Sequence, residues 1–324
     1  MSEDGAGYVP ALKVAVAGAA GIGRHHAKWH SQLGSHVVAF LGQRASHLSS
    51  TRTQLQDLFG FEGRGYTDFD ELFAQERPDI IDVCVSNEAH FDMASRALAA
   101  GCHVLCEKPL VWSHSPTTSL NQARLLQDQA ATNGLHLGMC SQYAAALEQY
   151  RNLFPGLDPA TSSSFEAEME TLARGTLRNA ASIWVDMGPH PLSLILSVWP
   201  GAVLLEESMQ INFSGHTAEA KFAIEAQGHR CQCRVVVRDR EGGPLTRRFS
   251  FDDHTVDLGG RADQTGVYRS VMIRDGVDDL ADDFMYLLIQ QFTQVVSGGA
   301  VTPLVPCSVA MRNLQLQTTI LAAA

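Results

Sequence analysis

Long apolar runs are missing from this chain of 324 residues. A membrane-crossing helix needs roughly 18 apolar residues or more in succession, and the longest approach to one, around Leu192–Trp199, is far too short. Positive charge is also scarce: 24 Lys and Arg stand against 35 Asp and Glu, a net charge of -11. That excludes a nucleic-acid surface, which needs clustered cations against phosphates, and disfavours docking to an anionic membrane. Cysteine occurs without a framework. The seven cysteines are an odd number; Cys84, Cys102, Cys106 and Cys140 sit among apolar residues, and the Cys231-x-Cys233 pair has no second metal-ligand pair nearby. The set reads as reduced thiols of a cytoplasmic protein, with no metal site. Met1–Pro10 lacks the basic start and apolar run of a signal peptide. Neither an internal repeat nor a low-complexity linker is present.

What is there divides into two halves. In the first, short continuously apolar segments alternate with helical ones. Strands are expected at Lys13–Gly18, His36–Leu41, Ile80–Val85, His103–Cys106 and Leu135–Cys140, and helices at Arg24–Leu33, Leu55–Phe59, Asp70–Glu76, Phe91–Ala100 and Pro116–Asn133. Apolar strands interleaved with helices imply a parallel sheet covered on both faces. The second half alternates apolar with charged residues at Phe165–Leu172, Val203–Phe213, Ala218–Ala226, Cys231–Val237, Thr246–Phe251 and Val267–Ile273. That pattern implies an antiparallel sheet with one face solvated or partly covered. Amphipathic helices are expected at Asp279–Val296 and Ser308–Ala323. The fold class is therefore α/β: a doubly wound, Rossmann-type domain over residues 1–140, then a mainly antiparallel α/β domain over 141–324 whose last helix packs back on the first.

Gly18-Ala19-Ala20-Gly21-Ile22-Gly23 follows the first strand and opens a helix. A dinucleotide-binding turn requires that context: a glycine for the tight turn, a small residue (Ala20 or Gly21) where backbone approaches pyrophosphate, and a glycine for helix–sheet packing. The helix N-terminus at Ile22 adds free N–H groups and a positive dipole end. An enzyme using NAD carries an acid after the second strand to hold the ribose hydroxyls. Here the strand runs into Gly42-Gln43-Arg44. No carboxylate stands there to repel a 2′-phosphate, Arg44 can hold one, and Gln43, Ser46 and His47 add donors. NADP(H) is expected over NAD(H).

The segment Gly101-Cys102-His103-Val104-Leu105-Cys106-Glu107-Lys108-Pro109 resembles the AGxHVxxEKP segment of the glucose–fructose oxidoreductase / inositol dehydrogenase / MocA family. Pro78–His90 is similar to that family's cofactor loop, with Val85-Ser86 where Thr-Pro is common. Trp184–Leu192, containing Asp186-x-Gly188-x-His190, resembles its D-x-G-x-H segment. The resemblance covers residues 12–200. It implies a Rossmann domain followed by an open-sheet domain, assembly as a homodimer or homotetramer through that sheet, and a cofactor site including Ser86, Asn87, His90, Glu107, Lys108 and Pro109. It further implies that Lys108, Asp186 and His190 are catalytic and, with Gln142, meet the substrate. Gln142 stands where members carry Arg, and Ser193 where they carry Asp; both changes are expected to remove charge from the substrate pocket.

Hydride transfer at a carbinol carbon needs a group to take or return the hydroxyl proton. Asp186 and His190 are four residues apart, so on a helix they share a face. The expected roles are His190 as general acid/base, Asp186 as its partner and a substrate ligand, and Lys108 as the cation that stabilises an alkoxide. The function this implies is hydride transfer between NADP(H) and a sugar, cyclitol or similar small polyol. Reduction of another C=N or C=C bond, redox-neutral glycoside cleavage, and a catalytically silent, cofactor-binding regulatory protein are the alternatives. His25 and His26, in the first helical turn, are expected on the helix surface or against the cofactor.

Overall fold

The computed structural model describes residues 11–173 and 175–324; the reading of Met1–Pro10 lies outside them. The first half forms β1 (Lys13–Ala17), α1 (Gly23–Gln32), β2 (His36–Leu41), α2 (Ala45–Phe59), β3 (Arg64–Tyr66), α3 (Phe69–Glu76), β4 (Ile80–Val83), α4 (His90–Ala99), β5 (His103–Glu107), α5 (Pro116–Thr132) and β6 (Leu137–Cys140). The six strands lie in the order β3-β2-β1-β4-β5-β6, every pairing parallel. Their apolar side chains are buried on both faces, as Val14, Val16, Ile80, Val83 and Val104 illustrate at 0% exposure. Local chemistry marks several boundaries. Asp68 caps α3 through Glu71 N at 2.8 Å, Ser115 caps α5 ahead of Pro116, and Gly60 in a left-handed conformation stops α2.

The second half continues with α6 (Ala146–Leu153), β7 (Ser164–Leu172), α7 (Ala180–Met187), α8 (Pro189–Val198), β8 (Val203–Ser214), β9 (Thr217–Ala226), β10 (His229–Arg240), β11 (Arg247–Phe251), β12 (His254–Ala262), β13 (Tyr268–Arg274), β14 (Val277–Asp282), α9 (Phe284–Val296) and α10 (Cys307–Ala322). Its eight strands run β14-β13-β12-β11-β7-β10-β9-β8. All neighbours are antiparallel except β7 with β10. The final helices return to the first half of the chain: α9 packs on α1 and α10 on α5, while Met139 N of β6 donates to Val305 O at 3.0 Å.

Several expectations are corrected. α2 starts ten residues earlier than Leu55, at Ala45. Its first ten residues are mostly polar and only Thr51 and Leu55 are buried, so no apolar period marked it. Residues 279–282 belong to β14, not to a helix: they pair with β13, and α9 begins only after Asp283, whose carboxylate accepts from Met285 N and Tyr286 N. β3 and β12 were not anticipated. β12 is Gly-containing and largely exposed, and so carries little alternation.

Candidate active site

The Gly18–Gly23 turn sits at the C-terminal edge of β1. Gly18 has φ +93°, and a Cβ there would fall 2.4 Å from Cys84 O; a Cβ on Gly23 would fall 2.7 Å from Gly18 O. Both glycines are demanded by the chain itself. Gly21 is different, because its Cβ would meet nothing within 4 Å. The turn's backbone borders open space beside a helix that has neither a capping side chain nor an acid in its first turn. This is the cradle a pyrophosphate fits, with Ala20 and Ile22 exposed on its rim. Beyond β2, Gln43 and Arg44 are exposed, α2 has no acid in its first turn, and Arg44 forms no ion pair among the described residues.

On the other side of the sheet axis the loop after β4 carries Ser86 and Asn87, neither of them buried. His90, expected at the cofactor, lies behind this loop with its ring turned to the backbone. It is fully buried, with Nδ1 2.7 Å from Pro109 O and Nε2 3.2 Å from Val85 O. It ties the β4 loop to the Lys108–Pro109 segment, whose peptide bond is cis. Burial lowers its pKa.

Lys108 leaves β5 and donates through Nζ to Asp186 O at 2.9 Å and to the Asp186 carboxylate. Arg178 Nη1 holds the second carboxylate oxygen at 2.5 Å, while its other nitrogens bind Asp239 at 2.6 and 2.9 Å. Burial opposes ionisation of Asp186, but Lys108 and Arg178 outweigh it and hold the carboxyl well below the usual range. Asp186 is thus partnered by two cations, and the expected Asp186–His190 hydrogen bond is not formed. The reason is local. Pro189 has no N–H to continue α7, so Asp186 ends one helix while His190 begins the next.

His190 is 8% exposed. Burial, and then Lys108, push its pKa down to about 3, so the ring is neutral. Its Nδ1 lies 3.3 Å from Ser141 Oγ, which itself lies 3.2 Å from Pro189 O. From beneath, α10 secures both helices: Gln317 Nε2 donates to Val185 O at 2.7 Å and Asn313 Nδ2 to Pro189 O at 2.8 Å. Ser193 is also corrected. It is fully buried and accepts from Asn313 at 2.9 Å, so it faces α10 rather than the pocket, where a carboxylate would have been buried. Gln142 lines, together with Tyr143, a cleft between α1 and the second sheet whose walls do not include Lys108, Asp186 or His190.

Behind the Lys108 segment lies a buried array that the sequence did not announce. His26 Nδ1 contacts Asp82 at 2.9 Å and His26 Nε2 contacts Glu107 at 3.1 Å, while His30 Nε2 contacts Asp82 at 3.0 Å. His26 is therefore not a surface residue; it is 0% exposed. Burial opposes its charge, yet Asp82 prevails and raises its pKa well above the ordinary value. Glu107, turned inward to His26 and to Lys108 N at 3.2 Å, shapes the segment from behind. Cys84 and Cys140 stand close enough to His26 and the carboxylates for a metal to be considered. Burial pushes both thiols up, and both His26 nitrogens are already engaged, so the cluster reads as hydrogen-bonded. Of this array the sequence singled out Glu107, as a cofactor residue of the motif, and His26, as a surface or cofactor-facing one, but not their meeting; Asp82, His30, Arg178 and Ser141 were not singled out.

Residues 12–140 match the family described as "Oxidoreductase family, NAD-binding Rossmann fold". The chain is 30% identical over 139 residues to the D-glucoside 3-dehydrogenase of Escherichia coli (strain K12), covering 42% of this chain and 36% of that protein. It is 29% identical over 100 residues to an inositol 2-dehydrogenase of Salmonella paratyphi B, covering 30% of this chain and 28% of that protein. These matches span only about a third of the relatives' own lengths. In fold the likeness extends over nearly the whole chain: a UDP-N-acetylglucosamine 3-dehydrogenase from Acidithiobacillus ferrooxidans superposes with a TM-score of 0.73 at 17% identity, covering 97% of this chain and 98% of that one.

Proposed function

We propose that this chain belongs to the glucose–fructose oxidoreductase / inositol dehydrogenase / MocA family, whose Rossmann-fold model matches residues 12–140, and that it transfers a hydride between NADP(H) and a carbinol or carbonyl carbon of a sugar, cyclitol or similar small polyol. The observation that carries the reading is the Lys108–Asp186 ion pair on the same sheet edge as the glycine turn, with His190 four residues on from Asp186 and held through Nδ1 at Ser141. A nicotinamide bound there would supply the hydride chemistry; the protein's own groups handle the proton and the charge.

We assign the His190 proton to Nδ1. Ser141 has one hydroxyl proton and two neighbours. Donating it to Pro189 O leaves its lone pair to accept from Nδ1–H, which satisfies every group in the chain. Nε2 then carries the lone pair and takes the proton of a carbinol oxygen. Lys108 stabilises the negative charge developing on that oxygen. Asp186, anchored by Arg178, holds the Lys108 side chain in place and offers its carboxylate edge to a neighbouring hydroxyl. Gln43 and Arg44 would hold the 2′-phosphate, and Ser86 and Asn87 would border the nicotinamide end.

Fluorescence titration of NADPH and NADH in parallel tests the cofactor assignment. NADPH is expected to bind more tightly, and Arg44→Ala to cost it about tenfold to a hundredfold, as losing a charge-assisted bond does, with little effect on NADH. Equal binding of both would remove the specificity; binding of neither would remove the oxidoreductase reading. The same proposal includes a cytoplasmic homodimer or homotetramer formed through the mixed sheet. Both edge strands expose apolar side chains, Val203 on β8 and Val277 and Leu280 on β14, which supports self-association. Sedimentation is expected to give two or four times the chain mass of 35.2 kDa.

A further inference from the structure

A cleft of about 440 Å3 separates α1 from the mixed sheet, and His25, Lys28, Gln142, Tyr143, Arg247 and Tyr268 are among its walls. Along β11, side chains alternate between faces. Arg248 turns one way and pairs with Asp257 at 3.0 Å. Arg247, Phe249 and Phe251 turn the other way, and Phe249 packs on Tyr143 with ring centroids 6.1 Å apart. Tyr143 in turn lies 5.9 Å, centroid to centroid, from the His190 ring. Arg247 therefore continues outward the same wall that leads inward to His190.

Two observations point to a ligand on this wall. Among the described residues neither Arg247 nor Lys28 forms an ion pair. Arg247 Nε only reaches Glu170 O at 3.3 Å, and Lys28 lies over the Trp29 ring at 4.9 Å. The one carboxylate in the lining, Asp283, is turned to the backbone of α9. In a chain of net charge -11, this lining carries two cations, Lys28 and Arg247, against the single carboxylate of Asp283. Independently, the Tyr143 hydroxyl, itself closed from solvent, has no hydrogen-bond partner among the described residues, and the side chain is only 4% exposed. A buried donor is rarely left unmade unless something absent completes it.

We propose that this cleft takes an acidic substrate: a polyol bearing a carboxylate or phosphoryl group, with that anion against Arg247 and the Tyr143 hydroxyl and the carbinol toward His190. The inference rests on the oxidoreductase reading and narrows it. Gln142 supplies no cation where the family resemblance leads one to expect arginine, and Arg247 supplies one from the facing sheet. The guanidinium also acts on His190 and Tyr143 electrostatically, lowering the pKa of each against or alongside the effect of burial, as a neighbour within reach of both would.

The test compares matched substrates with NADP+ at low ionic strength: D-glucose against D-glucuronate and D-glucose 6-phosphate, and myo-inositol against its monophosphate. Each compound is also titrated into the NADPH-loaded protein by fluorescence, so that binding is read without turnover. The acids are expected to exceed their neutral partners at least tenfold in affinity or kcat/KM, with salt eroding the advantage. Arg247→Gln is expected to abolish it through KM while NADPH affinity holds. Preference for one acid class decides between carboxylate and phosphoryl. Tyr143→Phe, which keeps the ring packing, should weaken the acids several-fold and serves if Arg247→Gln fails to fold. Equal or better response to the neutral compounds, no response to any acid, or the same loss for acids and neutrals in Arg247→Gln overturns the proposal while leaving the oxidoreductase reading intact. Failure to bind NADPH or NADH overturns both.

Discussion

At the scale of single residues the site is organised by who is charged. His190 is neutral because burial outweighs its surroundings and Lys108 adds to the effect; Asp186 is ionised because two cations outweigh its burial. A neutral imidazole with a free Nε2 is a base, so His190→Ala is expected to lower kcat by roughly a hundredfold to ten-thousandfold, the usual range for a general acid/base, with NADPH affinity unchanged. Ser141→Ala frees the tautomer without removing the base. A smaller loss in kcat and a displaced pH profile are expected, and a profile identical to the parent's would show that Ser141 plays no part. His26 is a different kind of residue, a cation between buried carboxylates. His26→Ala leaves Asp82 and Glu107 without it in a water-poor core. Breaking such an arrangement costs about 3–5 kcal/mol, which urea unfolding would read directly.

At the scale of elements, two turns decide where the chemistry stands. The Gly18–Gly23 turn contains glycines required for different reasons, and substitution separates them. Gly18→Ala meets a positive φ and Cys84 O at 2.4 Å, so destabilisation of about 1–3 kcal/mol or more is expected. Gly21→Ala meets no protein atom within 4 Å. Stability should change by no more than about 0.5 kcal/mol while NADPH affinity falls, because the added methyl occupies the space left for the pyrophosphate. Thermal melts with and without NADPH distinguish the two. The other turn is the α7–α8 junction. Gly188 fits there because a Cβ would lie 2.7 Å from Trp184 O, and Pro189 restarts the helix. The junction sends Asp186 to Lys108 and Arg178, and His190 to Ser141.

At the scale of the whole molecule, buried titratable groups make stability depend on pH. His190 has a folded pKa of about 3 against an unfolded value near 6.5. The unfolded chain therefore binds more protons in that window, and stability is lost as pH falls from about 6.5 toward 3. Asp186 and Asp82, both depressed, act in the same sense, since their contribution is present above the ordinary carboxylate pKa and lost below it. His26, raised, acts oppositely: its contribution is full below about 6.5 and is lost as pH rises through the raised value. The urea midpoint is expected to fall between pH 6.5 and 4, and to fall less in His190→Asn.

How much of this was legible in the chain depends on the range of the interaction. Strand and helix order in the first half apart from β3 and the start of α2, the glycine turn after β1, and the change from continuous to alternating apolar pattern near Cys140 are all local or periodic, and the sequence alone determined them. The placement of Lys108, Asp186 and His190 as candidates came from spacing and family resemblance, because motifs record which residues recur together. The partners did not follow. Arg178 reaches Asp239 across 61 residues and His26 reaches Glu107 across 81, separations over which no periodicity survives. Spacing suggested that Asp186 pairs with His190, but the break at Pro189 and the nearby cations directed it elsewhere. His90 reads as a cofactor residue and Ser193 as a lost charge at the pocket, yet packing turns His90 toward the β4 loop and Ser193 toward α10. Sequence decides what each segment can be, through local propensity and hydrophobic period; only the tertiary structure decides which charges meet, because burial and long-range contact set the cost of every unpaired group.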